Sequence, residues 1–265
     1  MAADLDLHKL ERALAGIAGP VRFVEETGST NSDALDWASE GAPEKAVVVA
    51  DYQTAGRGRW GRSWEAPPGS ALLFSLVLRP RPDTVSLLTT LAGVACAAGL
   101  RNATELEPGL KWPNDVILGG RKVAGILVET RVAGTGITAA VVGMGINVSS
   151  RPDDFSPEVA ATATSLAVEM EASGRGEPPD RAVLLAAILE QFDHRYGGEW
   201  SPPHLLEEAT GLSVVLGRAV RIRSPQGDVI EGVAKGLTAD GALEIESGGS
   251  VSVVDSGEVQ RLGEP

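Results

Sequence analysis

The chain has 265 residues, with 36 Asp and Glu against 23 Lys and Arg, three His and a single Cys, for a formal charge of −13. That length makes one large domain, or a large domain with a small companion, and excludes a peptide-sized scaffold. One Cys cannot close an internal disulfide, His8, His194 and His204 are too scattered to seed a zinc cluster, and the charge lacks the basic footprint of a general nucleic-acid binder. An apolar share of 43% with only 4% aromatics describes an ordinary globule with aliphatic cores. No apolar run approaches the ~18 to 20 residues of a membrane helix; the longest candidates lie at 91–100 and 137–148. Asp4, Asp6 and Glu11 disqualify residues 1–19 as a signal peptide. The expectation is a cytoplasmic protein in a reducing compartment, with neither membrane nor nucleic acid as partner.

Taken in chain order, Leu5, Leu7, Leu10, Leu14 and Ile17 predict an amphipathic helix over 4–17, followed by a strand at 21–24. Thr30 to Asp33 has the form of a capping box and opens a helix ending at Gly41. Strands are expected at 47–50 and 71–78, separated by a Gly, Arg and Pro-rich loop over 52–70, and a small-residue helix at 84–100. A strand-rich middle follows at 110–112, 116–118, 122–130 and 137–148, with Gly119-Gly120 as a two-residue hairpin turn. Loop at 150–163 and linker at 171–180 precede helices at 181–196 and 203–210. Beyond Gly211 the texture changes to short alternating strands at 219–223, 229–235, 242–246 and 250–254, which suits a small β-barrel. Strands mixed with helices without strict alternation indicate an α+β class with a mixed sheet.

The basic residues of this acidic chain concentrate in one place, where Arg57, Arg59 and Arg62 fall within 53–64 without an acid among them. By letter the string also matches a dinucleotide fingerprint and a P-loop with Arg for Lys, yet both need a helix directly after. Trp64-Glu65-Ala66-Pro67-Pro68-Gly69 will not start one. Glycine lets backbone approach a ligand, and Arg offers planar paired donors to phosphate and carboxylate. The loop is therefore read as a mobile anion-binding flap, against the plainer reading of a solvated basic turn.

In the hairpin closed by Gly119-Gly120, residue 118 is expected to pair with 121, 117 with 122, 116 with 123 and 115 with 124. Asp115 and Lys122 then share a face, one diagonal step apart. They form either a surface ion pair or a divalent-ion and acid-substrate site. Asn114 after Pro113, and Asn147 at the end of Gly143-Met144-Gly145-Ile146-Asn147, are either turn formers or ligand contacts. Ser29, Thr30 and Asn31 either cap a helix or grip a polar head group.

Five strings, Gly28-Ser29-Thr30-Asn31, Gln53 through Trp64, Lys111-Trp112-Pro113-Asn114-Asp115, Lys122 through Leu127, and Gly143 through Asn147, together resemble the biotin protein ligase family, in the family's order. The tail from Gly217 through Leu243 is similar to that family's C-terminal SH3-like barrel. The resemblance implies a catalytic domain of the class II synthetase and biotin ligase type over 1–212, a mixed sheet flanked by helices, and a barrel over 213–265. It implies two steps: biotin and ATP form biotinyl-5′-AMP, then a lysine of a biotin carboxyl carrier domain takes the biotin and releases AMP. A lipoate ligase or octanoyl transferase of similar architecture is the alternative.

Carried over to this chain, the resemblance assigns biotin contacts to Ser29, Thr30, Asn31, Gln53, Gly56, Arg57, Gly58, Arg59, Lys122 and Gly125. ATP would be met by Arg59, Arg62, Trp64, Asn114, Asp115 and Asn147, with Mg²⁺ on Asp115. Lys122 would stabilise charge at the carboxylate and α-phosphate, and Arg57 would order the flap. Neither step needs a protein nucleophile, so catalysis would rest on positioning and electrostatics. Only 27 residues precede Gly28, too few for the winged helix-turn-helix of family members that repress transcription, and no repressor role is expected.

Overall fold

A computed structural model describes residues 5–134, 136–198 and 201–262. Asp4, the first residue of the helix expected at 4–17, lies outside the described residues. Twelve strands and six helices are found in them: α1 (Leu7–Ala13), β1 (Val21–Thr27), α2 (Thr30–Ser39), β2 (Val47–Gln53), β3 (Ala71–Leu78), α3 (Leu88–Thr104), β4 (Gly109–Lys111), β5 (Asp115–Leu118), β6 (Arg121–Ala133), β7 (Gly136–Asn147), α4 (Leu166–Ala172), α5 (Arg181–Tyr196), α6 (Pro202–Leu212), β8 (Ala219–Arg223), β9 (Val229–Leu237), β10 (Leu243–Ser247), β11 (Ser250–Val254) and β12 (Glu258–Arg261).

Seven strands form a mixed sheet in the order β1-β2-β3-β7-β6-β5-β4, parallel between β1 and β2 and antiparallel elsewhere. One face carries the main core, where Phe74, Val142, Met144 and Ile146 meet Leu88, Leu91 and Ala95 of α3, with α5 and α6 behind. On the other face α2 covers β2, β3 and β7 through Ala34, Val48, Val77 and Val141. Beyond α2 that face is left open, and there the cleft lies.

A 3₁₀ turn at Pro82–Leu87 runs straight into α3, so the helical stretch Pro82–Thr104 has 23 residues, and its most apolar 18-residue window has a mean hydropathy of 1.5. The sequence suggested no apolar run of that length. Leu and Val give this helix most of its hydropathy, and 67% of the apolar window is buried against the sheet and its helical neighbours. Gly99 marks the close approach, since a Cβ there would stand 2.6 Å from Ile188 Cα of α5.

The other five strands make one antiparallel sheet, β11-β10-β9-β8-β12, packed on Val220, Ile222, Ala234 and Leu243. Its ends, β11 and β12, are not neighbours in that order, so the sheet is consistent with the expected SH3-like barrel but is not closed into a ring. β12 and α4 are elements that the sequence patterns did not indicate. Trp112 joins the two sheets: its ring packs on the smaller core and its indole N–H donates to Gly241 O at 3.0 Å.

Two predictions follow from the packing of α3. Replacing a helix-interior Gly by Ala is worth about 1 kcal/mol where there is room, whereas overpacking costs about 1–3 kcal/mol. Gly99→Ala is therefore expected to lower Tm in thermal unfolding followed by circular dichroism, and a raised Tm would contradict the close packing. Cys96 is fully buried and its thiol is pushed up to about 12 by burial. At pH 8 it should resist alkylation in the native protein and react once denaturant is added.

Candidate active site

The open face of the large sheet is paved with glycine. Gly125 of β6 and Gly145 of β7 are direct partners, and Gly143 stands opposite Leu127. A Cβ at Gly145 would come within 2.5 Å of Trp64, one at Gly125 within 3.0 Å of both Trp64 and Lys122 Nζ, and one at Gly143 within 1.9 Å of Asn31 Oδ1. Side chains from two other segments, Trp64 and Asn31, and from Lys122 at the start of β6 therefore reach the sheet backbone itself. The result is a cleft of about 1440 Å³ between this floor, the 57–65 loop and the near edge of the smaller sheet.

At one end the start of α2 supplies polar groups. Its N-cap is Ser29, with no side-chain cap bond, so the capping box expected from Thr30 does not form. Asp33 instead accepts from Thr27 Oγ1 at 2.7 Å. Thr30 is freed to donate through both N–H (2.7 Å) and hydroxyl (2.9 Å) to Gln53 Oε1. Behind it Ser75, fully buried in β3, places its hydroxyl 2.8 Å from Thr30 Oγ1 and 2.6 Å from Asn31 Oδ1. Its single proton serves one of these at a time. Asn31 Nδ2 donates to Leu127 O at 3.2 Å and to Glu129 Oε2 at 2.8 Å, and Glu129 Oε2 also accepts from Arg57 Nη2 at 2.7 Å.

The Arg-rich loop folds back on itself and is not followed by a helix. Trp64 N–H donates to Gly56 O (2.9 Å) and Gly58 N–H to Arg62 O (2.7 Å), with the tip at Arg59–Gly61. Trp60 and Gly61 turn the chain with φ of 59° and 73°. Gly56 is needed because a Cβ would lie 2.4 Å from Trp64 O. Trp64 lies on the glycine floor with its indole Nε1 buried and without a hydrogen-bond partner. Arg59 Nη1 reaches Asn114 Oδ1 at 3.3 Å, and burial lowers its pKa despite the attraction of Asp115. Arg62 forms a two-point pair with Glu258 of β12, Nη1 donating to Oε1 at 3.0 Å and Nη2 to Oε2.

In the β5–β6 hairpin, Gly119 and Gly120 take positive φ as expected, and 118 pairs with 121 and 117 with 122. A bulge between Val116 and Ile117 then shifts the register, so 116 opposes 124 and Asp115 opposes Gly125, not Ala124. The bulge leaves the diagonal contact in place, and Lys122 Nζ lies 2.6 Å from Asp115 Oδ1 and 5.5 Å from the Trp64 ring centre. Asn114 clasps β6 through Nδ2 to Ile126 O at 2.9 Å, and Asn147 Nδ2 donates to Thr164 O at 2.9 Å.

Thus Ser29, Thr30, Asn31, Gln53, Arg57, Gly58, Arg59, Arg62, Trp64, Asn114, Asp115, Lys122, Gly125 and Asn147 all line one cleft, and Gly56 lies beneath the loop. Ser75, Glu129 and Glu258 were not singled out from the sequence. Ser75 is one hydroxyl in the apolar run Ala71–Leu78, Glu129 sits in a long strand, and Glu258 belongs to a strand of four residues. Among the described residues no three His, Cys, Asp or Glu side chains gather as a metal site.

Residues 23–147 match the Biotin/lipoate A/B protein ligase family, and residues 215–262 match the Biotin protein ligase C terminal domain. The chain is 34% identical to a biotin--[acetyl-CoA-carboxylase] ligase of Mycobacterium tuberculosis, covering 97% of this chain and 96% of that protein. The chain belongs to the biotin/lipoate A/B protein ligase family. Another relative, the bifunctional ligase/repressor BirA of Bacillus subtilis, is 35% identical over 88% of this chain and 71% of its own length. Among solved structures, a biotin protein ligase from Aquifex aeolicus in complex with biotin and ATP superposes with a TM-score of 0.76 at 28% identity, over 91% of this chain and 98% of that one. The five strings that span 28–147 in this ligase-family chain are the ones that converge on the cleft.

The Arg62–Glu258 pair gives a pH test of how the loop is tied down. The hydrogen bond from Arg62 holds the Glu258 carboxyl below its usual value of 4.5. A depressed folded-state pKa contributes stability above the unfolded value and loses it as pH falls through the folded one. The Tm gap between the parent protein and Glu258→Gln should therefore be present at pH 7 and close on acidification below 4.5. A gap that does not narrow as the pH falls below 4.5 would mean that the ionised carboxylate is not its source.

Proposed function

We propose that the chain is an ATP-dependent biotin protein ligase that first makes biotinyl-5′-AMP and then biotinylates a lysine of a carboxylase carrier domain. The observation that carries this reading is the cleft itself: a polar pocket at Thr30 and Gln53, a Lys122–Asp115 pair, and an Arg-rich loop, all on one side-chain-free floor, in a chain with the relatives given above.

In the first step an oxygen of the biotin carboxylate bonds to the α-phosphorus of ATP, and the bond to the bridging oxygen breaks to release pyrophosphate. In the second the carrier amine bonds to the acyl carbon, loses a proton, and AMP leaves. Neither step needs a nucleophile from the protein. What this chain supplies is position and charge. Thr30 and Gln53 would hold the uncharged ring end, with Ser29 and Asn31 beside them and Gly56 and Gly58 bringing loop backbone close. Lys122, within reach of the floor at Gly125, would stand between carboxylate and α-phosphate, where a fixed ammonium offsets the charge that builds in the transition state. Arg57 and Arg59 would draw the loop over the intermediate, while Arg62, Trp64, Asn114, Asp115 and Asn147 would face the nucleotide. Mg²⁺ would enter as part of the nucleotide substrate, with Asp115 as its protein carboxylate. We place the reaction in the cytoplasm, in line with a lone, buried thiol, and put the boundary between catalytic and C-terminal parts at 212/213.

The test is ATP–pyrophosphate exchange with biotin, lipoate or octanoate added separately. Biotin alone should support exchange, and AMP release should then require a biotin carrier domain; exchange with lipoate alone would assign the chain to the other branch of its family. Lys122→Ala should lower the exchange rate by about 10²-fold or more, the scale of losing one preorganised charge-stabilising donor. Exchange near the parent rate would remove Lys122 from the mechanism.

A further inference from the structure

Lys122 is held by a piece of chain at the rim of the cleft, where Thr162 and Ala163 line it and Thr164 does not. Residues 162–164 run beside it as a short bridge, with Lys122 N–H donating to Thr162 O at 2.7 Å and Thr164 N–H donating to Lys122 O at 2.9 Å. The Thr164 carbonyl is also the acceptor for Asn147 Nδ2. One tripeptide therefore fixes the backbone of Lys122 and the side chain of Asn147 together. Thr164 is itself 1% exposed, and its hydroxyl donates to Glu169 Oε1 at 2.5 Å. The same carboxylate oxygen accepts from Arg121 Nη2 at 2.7 Å.

Glu169 thus ties two neighbours of Lys122, Arg121 before it in the chain and Thr164, whose N–H bonds the Lys122 carbonyl. α4 fixes the carboxylate in turn. Ser165 caps the helix by accepting from Val168 N–H at 3.2 Å, its own hydroxyl donates to Ser150 O at 2.7 Å, and Ala167 N–H donates to Val148 O at 2.8 Å. The hairpin tip closes on the other carboxylate oxygen, and a Cβ at Gly119 would stand 2.5 Å from Oε2. The Glu169 side chain is 13% exposed, and none of Glu169, Arg121 and Thr164 lines the cleft. Charge-assisted bonds in such a water-poor place are stronger than the same bonds at the surface.

We propose that Glu169 is a positioning residue for adenylate formation, setting the Lys122 ammonium and the Asn147 amide from behind the floor. The inference rests on the reading of Lys122 given above. Displacing a catalytic group by about 1 Å costs up to about 10²-fold in rate, so a lost brace should appear in kcat. The uncharged end of the substrate, held by Thr30 and Gln53 on the far side of the cleft, should bind as before.

The experiment measures kcat and the KM for biotin in ATP–pyrophosphate exchange for Glu169→Ala, Glu169→Gln, Thr164→Val and Lys122→Ala, with Tm recorded for each. Glu169→Ala should lose about 10-fold or more in kcat, with KM for biotin within about twofold. Glu169→Gln, which keeps an acceptor for Thr164 and loses the charge facing Arg121, should fall between parent and Ala. Thr164→Val removes the hydroxyl at nearly constant shape and should repeat the kcat loss; together with Glu169→Gln it decides the matter if Glu169→Ala does not fold. A folded Glu169→Ala or Thr164→Val with parent kcat overturns the proposal, as does a kcat loss that only tracks the folded fraction. If Lys122→Ala keeps its exchange activity, the reading of the site has failed; if it loses activity while the Glu169 and Thr164 variants keep theirs, only the positioning role has failed.

Discussion

Everything in the cleft depends on a patch of bare backbone. Gly125 and Gly145 face each other across β6 and β7, and Gly143 lies two residues along the same strand. In a sheet the residues that alternate with them face the opposite side, and there Ala124, Ile126, Met144 and Ile146 are packed into the main core. The strands are thus held firmly from below while offering nothing above. Any side chain on the upper side would strike Trp64, Lys122 or Asn31, so the floor and the groups resting on it specify one another. Glycine weakens a strand by giving it nothing to pack. The central position of β6 and β7, each hydrogen-bonded on both sides, offsets that loss.

On this floor the cations are not left alone. Arg57 has Glu129, Arg62 has Glu258 and Lys122 has Asp115, while Arg59 lies in the field of Asp115. An acidic protein has acids to spare for this. Several of these pairs are partly open to water, and such pairs are worth about 0–1 kcal/mol. On the function proposed above, an incoming polyphosphate or carboxylate would compete against weak partners, and the acids would hold the side chains in place without blocking exchange. Arg59 differs, because burial opposes its charge and the Asn114 carbonyl is its neutral neighbour. A bound anion would relieve that penalty more than it would for Arg57 or Arg62.

What is legible in the sequence follows from the range of each interaction. The Gly119-Gly120 turn, the helix that does not follow Gly61 and the diagonal meeting of Asp115 with Lys122 were legible, since each is decided within a few residues. The bulge at Val116 and Ile117 was not, because it is imposed by how β5 must meet both β4 and β6. Nor was the choice of Ser29 over Thr30 as N-cap: Thr30 gives up local capping to bond Gln53, a partner brought in by the β1–β2 pairing. α4 was hidden between a loop and a linker by its seven residues, too short to display a period. β12 was hidden for the same reason, and with it the partner of Arg62.

That last omission bears on what the smaller sheet does. Two links join it to the cleft, one through the loop and one through the floor. Arg62 holds Glu258, and Arg59 Nη1 lies 3.4 Å from the Gly257 carbonyl. Trp112, in the turn between β4 and β5, buries its ring in the smaller core, while Asn114, two residues on, hydrogen-bonds β6 and Arg59. The turn is thus anchored at both ends, in the smaller core and on β6. Asp115 begins at that turn and is the partner of Lys122. Only four residues of chain, Trp112 through Asp115, thus separate the packing on the smaller sheet from the carboxylate paired with Lys122.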